Sequence, residues 1–200
     1  MVNIISCGTS KGNDIAVKLA AVQVMSTVIG NFDEAAADCA VHAEFIISSI
    51  YRLAHECVEL EAQSMLLETI PLVLLYMTGT GSDITATVAN ASVTPLPSIW
   101  DYASGERVLL RRNIITILSI VTSSLGPAAS ETLFPISFRI LASSLDRRGS
   151  VDHAFLVNEA LLLWLTTLRY TKTYSEPIGT LFPTLIGLLE VDFEHLRYVP

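Results

Sequence analysis

Apolar residues recur along most of this chain at the three-to-four-residue spacing of a helical face. Ile15, Leu19 and Val22 begin the first such stripe, which Asp14 can cap and Gly30 can stop. No pair of alternating segments joined by hairpin-turn residues competes with this pattern. The sequence therefore predicts helices only, over about 15–29, 33–53, 56–77, 106–125, 128–145, 152–170 and 177–190.

The segment 83–105 departs from this regularity. Asp83 can cap a helix there, but Pro95 and Pro97 would break it and leave Trp100 in a short second piece. Pro71 is expected to bend the helix over 56–77 in a similar way.

A sequence pattern also returns along the chain. TLFPISFRIL at 132–141 comes back as TLFPTLIGLL at 180–189, and TPLPSIW at 94–100 is a weaker copy. Their prolines, Pro97, Pro135 and Pro183, are separated by 38 and 48 residues. Because Pro135 and Pro183 fall early in their predicted helices, we expect each to set the start of its helix.

A second repeating pattern, formed by apolar residues, does not depend on these prolines. Met25, Ile70, Leu118 and Trp164 occupy apolar positions in the first helices of four successive helix pairs, at spacings of 45, 48 and 46 residues. A period of about 40–47 residues with two helices per unit is typical of HEAT and armadillo arrays. Such units cannot bury their apolar faces alone and therefore stack.

The predicted fold class is thus all-α, an α-α superhelix of the HEAT or armadillo solenoid type. The whole range 1–200 is one array, with units at about 14–53, 56–102, 106–146 and 151–190 and the start of a further unit at 192–200. The Leu-rich last helices lack the polar outer face of a terminal repeat, so we expect the array to continue.

Composition first raises the possibility of a membrane protein, because 51% of the residues are hydrophobic, 16% are charged and the mean hydropathy is +0.52. The best apolar runs, 72–77, 114–121 and 161–168, are each interrupted well short of the roughly 20 residues that span a bilayer. Inner helices of a stacked array are apolar on two faces, which explains the composition without a membrane.

The net charge of −8 argues against nonspecific nucleic-acid binding, which needs basic patches. It favours basic partners over anionic membranes, although solubility alone would explain it.

Three cysteines, Cys7, Cys39 and Cys57, form an odd number in mostly apolar surroundings. They indicate a reducing compartment, and no secretory signal is visible at the N-terminus.

No motif in the sequence predicts catalysis. The loop 79–83 lacks the Lys of a phosphate-binding loop, and no Gly-x-Ser-x-Gly elbow occurs. The spacing of Cys39, His42, His55 and Cys57 matches no compact zinc site. His153 and His195 have no evident nucleophile partner. We therefore predict a protein that is not an enzyme, with no catalytic, cofactor-binding or metal-binding residues and no cofactor.

Two short basic pairs and two tryptophans are candidate contact residues. The pairs Arg111–Arg112 and Arg147–Arg148 either cover apolar surface with their stems or contact an acidic partner. Trp100 and Trp164 have apolar flanks, which favours a place in the core over a role in binding. The sequence leaves the partner-binding residues unknown.

Three helices carry a resemblance to a known family. VKLAAVQVMSTVIG at 17–30 and LLRRNIITILSIVTSSLGP at 109–127 resemble first helices of HEAT repeats. VNEALLLWLTTLRY at 157–170, which lies between the two TLFP helices, resembles the C-terminal half of karyopherin-β (importin-β) nuclear transport receptors, specifically the importin eleven branch. The resemblance covers about 14–200 and implies an internal or C-terminal fragment.

The resemblance implies a transport receptor that is a long right-handed superhelix in the nucleus, the cytoplasm and the nuclear envelope. It implies protein cargo on the inner helices, phenylalanine-glycine nucleoporins on the outer helices, and the Ran GTPase mainly at N-terminal repeats. It implies no nucleic acid and no membrane insertion. The alternatives are a HEAT scaffold of another kind, such as a phosphatase regulatory subunit, and a small helical enzyme or membrane protein.

Overall fold

The computed structural model describes residues 14–31, 33–57, 60–79, 83–103, 107–144, 152–170, 179–184 and 186–187. Within these ranges the chain forms helices and no strand, which confirms the predicted all-α class. The helices are α1 (Ile15–Asn31), α2 (Asp33–Glu56), α3 (Leu60–Gly79), α4 (Ala86–Val93), α5 (Leu96–Tyr102), α6 (Val108–Leu125), α7 (Pro127–Ser144) and α8 (Asp152–Tyr170). Residues 179–184 and 186–187 are also helical.

The helices stack in two rows. In the first row α1 contacts α3, α3 contacts α6, and α6 contacts α8. The second row contains α2, α4, α5 and α7, and each of these helices packs onto one or more helices of the first row. This arrangement confirms the helical-repeat solenoid predicted from the sequence.

Polar contacts show how the helices run. Lys18 near the start of α1 pairs with Glu56 at the end of α2, with 3.3 Å between Nζ and Oε2, so these two helices are antiparallel. Asn113 near the start of α6 donates from Nδ2 to the carbonyl of Ser64 near the start of α3. The first-row neighbours α3 and α6 therefore run in the same direction, as successive repeats of a solenoid do.

The apolar interior continues from one helix to the next along the rows. Ile70 in α3 and Leu118 in α6 are fully buried, and Trp100 and Trp164 are 3% and 5% exposed. The two tryptophans thus lie in the core, as their flanks predict. The side chain of Met25 lies outside the described residues.

Gly30 and Asp83 do not delimit helices as predicted. Gly30 lies inside α1, which continues to Asn31. The helix predicted to begin at Asp83 begins at Ala86, where the Oγ1 of Thr85 accepts from the backbone N–H of Val88. Thr85 is the better cap because its hydroxyl lies at the position that reaches the unpaired N–H groups of the first turn.

The prolines have mixed outcomes. The break at 94–95 separates α4 from α5 as predicted, and Pro71 lies inside α3. Pro135 does not set the start of its helix, because α7 begins at Pro127 and Pro135 is its ninth residue. The helix tolerates this proline at the cost of one backbone hydrogen bond. The start of the helix that contains Pro183 lies outside the described residues.

The unit boundaries stay a prediction. Helix α2 packs more extensively on α3 than on α1, and α7 packs more extensively on α8 than on α6. Helices α2 and α7 therefore each have two candidate hairpin partners, whereas α4 and α5 pack onto α6 of the first row.

Of the described helices, one is long and apolar enough to cross a membrane by length and composition alone, Val108–Leu125. This helix, α6, packs against α3, α7 and α8 as well as against α4 and α5. Most of its apolar residues are buried in the interior of the array, as expected for the core helix of a stacked fold.

Candidate protein-interaction surfaces

The structure describes the side chains of three of the four residues with metal-ligand chemistry, His42, His55 and Cys57. His42 and His55 are exposed, whereas Cys57 is buried. Among the described residues no group of three or more His, Cys, Asp or Glu could hold a metal ion. The other candidates lie outside the described residues: Cys7, His195, Arg147, Arg148, the loop at 80–82 and the side chains of Cys39 and His153.

The first basic pair contacts the fold itself. The guanidinium carbon of Arg111 lies 4.6 Å from the centre of the Trp100 ring, and burial lowers the pKa of Arg111. Arg112 pairs with Glu159 of α8, with 3.7 Å between Nε and Oε1. These two arginines therefore connect α6 to α5 and α8.

A small groove separates α5 from α7, and we refer to it as the second-row groove. It has a volume of about 270 Å³. Arg139 in α7 reaches both carboxylate oxygens of Asp101 in α5, at 2.6 and 2.8 Å from Nη2, and so connects the two helices. The groove is lined by Pro97, Trp100, Pro135, Ile136, Arg139 and Ile140.

The pair Arg139–Asp101 is expected to contribute little to stability, because both side chains are more than half exposed. A double-mutant cycle with Arg139→Ala and Asp101→Ala should give a coupling energy of at most about 1 kcal/mol. Chemical denaturation of the single and double variants measures it. A coupling of several kcal/mol would contradict this expectation.

A larger cavity lies between α2 and α5, and we refer to it as the α2–α5 cleft. It has a volume of about 730 Å³. Its walls come from the end of α2, the start of α3, α5 and the start of α6. The lining residues are Tyr51, Arg52, Ala54, His55, Cys57, Gln63, Leu67, Pro95, Ser98, Ile99, Tyr102 and Leu110.

Several hydrogen bonds fix these walls. The buried hydroxyl of Tyr51 donates to the carbonyl of Ser92 in α4, and burial raises the pKa of Tyr51. Gln63 is only 7% exposed, and its Nε2 donates to the carbonyl of Cys57 at 2.6 Å. The α2–α5 cleft is therefore bounded by side chains that are already held in place.

The charge of the α2–α5 cleft is opposite to that of the whole chain. Its described lining contains the cationic Arg52 and the imidazole of His55, and it contains no Asp or Glu. Arg107 adds charge beside the rim, because its guanidinium lies 3.9 Å from the centre of the Tyr102 ring and donates to the Tyr102 carbonyl.

Reasoning from the sequence did not find these two surfaces. The recurring proline-containing segments at 94–100 and 132–141 could have indicated them. Pro97 and Pro135 both line the second-row groove, and Pro95 lines the α2–α5 cleft. In the sequence these prolines read only as helix breakers or helix starts. Their common place between second-row helices is visible only in the structure.

Comparisons with known proteins agree with the resemblance. A family model described as importin-11-like, TPR repeats, matches residues 112–199. Importin-11 of Mus musculus is 24% identical over 199 aligned residues, covering 96% of this chain and 19% of the mouse protein. Importin-11 of Homo sapiens is also 24% identical, with the same coverage of each chain. No solved structure matches the chain significantly.

The chain thus spans about a fifth of the length of the curated relatives it matches. The family description names TPR repeats where the sequence predicts HEAT repeats, and both types are arrays of stacked helical pairs. The resemblance to the importin eleven branch is confirmed, since the chain is similar to importin-11 along nearly its whole length and matches importin-11-like repeats over 112–199.

Proposed function

We propose that this chain is part of a nuclear transport receptor that carries protein cargo through nuclear pores, with binding regulated by Ran-GTP. The observation that carries the proposal is the similarity to importin-11 along 96% of the chain. The two-row array supports it, because stacked repeats present an extended surface to macromolecules. The proposal places the protein in the nucleus, the cytoplasm and the nuclear envelope, without catalysis.

The second-row groove is the proposed contact for phenylalanine-glycine nucleoporins. Its volume of about 270 Å³ suits a single large side chain rather than a folded surface. Trp100, Ile136 and Ile140 supply an apolar lining, against which a phenyl ring would lose its contact with water.

A groove variant tests this contact in the intact protein. Ile136→Asp is expected to weaken binding to an immobilised fragment of phenylalanine-glycine repeats about tenfold, because a carboxylate would replace apolar surface in the groove. Ser143→Asp places the same charge at an exposed position of the same helix and should bind like the parent. Circular dichroism of both variants checks that α7 remains folded.

The broader proposal has its own test. The intact protein is expected to bind GTP-loaded Ran and phenylalanine-glycine repeats in pull-downs, and Ran-GTP should alter cargo binding. If it binds neither, the transport proposal fails and a HEAT scaffold unrelated to transport becomes the better interpretation. If Ile136→Asp and Ser143→Asp bind the repeats equally well, the groove is not the contact.

A further inference from the structure

We propose that the α2–α5 cleft binds an acidic peptide segment of a partner protein. An aliphatic or aromatic side chain of the peptide enters the cleft, and neighbouring carboxylates lie against Arg52 and His55. The inference rests on the proposed function only in identifying the partner as a protein cargo.

The cleft exists because the second row is interrupted. Helix α4 packs on α2. The helical structure is interrupted at Thr94–Pro95, and the next helix, α5, makes its substantial contacts with α6. Asp101 of α5 pairs with Arg139 of α7, so the exposed ion pair of α5 is with the following helix of the row and not with α2. The space between the end of α2 and α5 is therefore a consequence of the interruption between α4 and α5.

The size and lining suit a peptide side chain with its flanking backbone. About 730 Å³ lies within the range of roughly 300–1,000 Å³ that is usual for binding pockets. Ala54, Leu67, Ile99 and Leu110 form apolar walls, while Ser98 and Gln63 add polar groups. A few polar groups on a mainly apolar lining are what fixes the orientation of a bound segment.

Charge selects the class of peptide. Arg52 and His55 are exposed and form no ion pair with another described residue, and the described lining contains no carboxylate. In a chain with a net charge of −8, the charge carried by the described lining of the cleft is thus positive. It attracts a carboxylate-bearing segment and disfavours a lysine-rich one.

The test uses three fluorescein-labelled peptides and the intact protein. The first has Leu and Phe at its centre with Asp and Glu on both sides. The second replaces the acidic residues by Lys, and the third replaces Leu and Phe by Ser. Fluorescence anisotropy is expected to show binding of the first peptide and at least about tenfold weaker binding of the other two.

Two variants locate the site. Arg52→Glu reverses the charge at the mouth, and Ser98→Trp fills the α2–α5 cleft from α5, so each should weaken the first peptide about tenfold. Arg169→Glu and Ser143→Trp make the same changes at exposed positions of α8 and α7, and they should leave the affinity unchanged. Circular dichroism confirms that all four variants are folded.

The inference is overturned if the lysine peptide binds as well as the acidic one, or if Arg52→Glu and Ser98→Trp match their controls. Failure of the transport proposal is separate. A protein that binds the acidic peptide through Arg52 but neither Ran nor nucleoporin repeats retains the site and loses the transport role. A protein that binds Ran and nucleoporin repeats but not the acidic peptide keeps the transport role without this site.

Discussion

Leu118→Ala is expected to lower the free energy of unfolding by about 3 kcal/mol, within the roughly 2–5 kcal/mol typical of such core truncations. Leu118 is fully buried in α6, and α6 packs between α3 and α8 in the first row. Removing the isopropyl group of its side chain leaves a cavity where the apolar interior continues from one repeat to the next. Chemical denaturation followed by circular dichroism measures the change.

Leu109→Ala is the matched control, because it makes the same substitution in the same helix at a side chain that is 58% exposed. It should change the free energy of unfolding by no more than about 0.5 kcal/mol. Equal losses for Leu109→Ala and Leu118→Ala would contradict the position of α6 in the array.

Asn113→Ala is expected to lower the free energy of unfolding by about 2 kcal/mol. The Nδ2 of Asn113 donates to the Ser64 carbonyl at 2.9 Å in a buried contact between α6 and α3. Alanine removes the donor and leaves a buried carbonyl oxygen without that bond, which costs about 1–3 kcal/mol. The same denaturation measurement reports the loss.

Asn158→Ala provides the control for this polar contact. Asn158 is an exposed residue inside α8, where alanine has the higher helix propensity, so the variant should be as stable as the parent or slightly more stable. If Asn113→Ala is equally harmless, the hydrogen bond to Ser64 does not stabilise the interface between α3 and α6.

Helix positions were largely predictable because each helix buries a face that the sequence marks directly. The predicted range 152–170 coincides with α8, and the constant spacing of Ile70, Leu118 and Trp164 matches three buried residues of first-row helices. Apolar periodicity reports burial within one helix, and that information is local to the helix.

The features that the sequence did not predict correctly depend on contacts between distant segments of the chain. Pro135 reads as a helix start because a proline is best tolerated there, yet the extended helix around it lines the second-row groove. The cation–π contact of Arg111 with Trp100 and the opening beside Arg52 arise from the way α5 packs, which no local pattern encodes. The candidate binding surfaces could therefore not be predicted from the sequence.

The stacking of first-row helices has a mechanical consequence. Among the described residues, α1, α3, α6 and α8 make their substantial first-row contacts only with the first-row helices beside them. Under tension applied between the two ends of the row, neighbouring helices would slide slightly past each other at every interface. The row would therefore lengthen elastically before any single helix unwound.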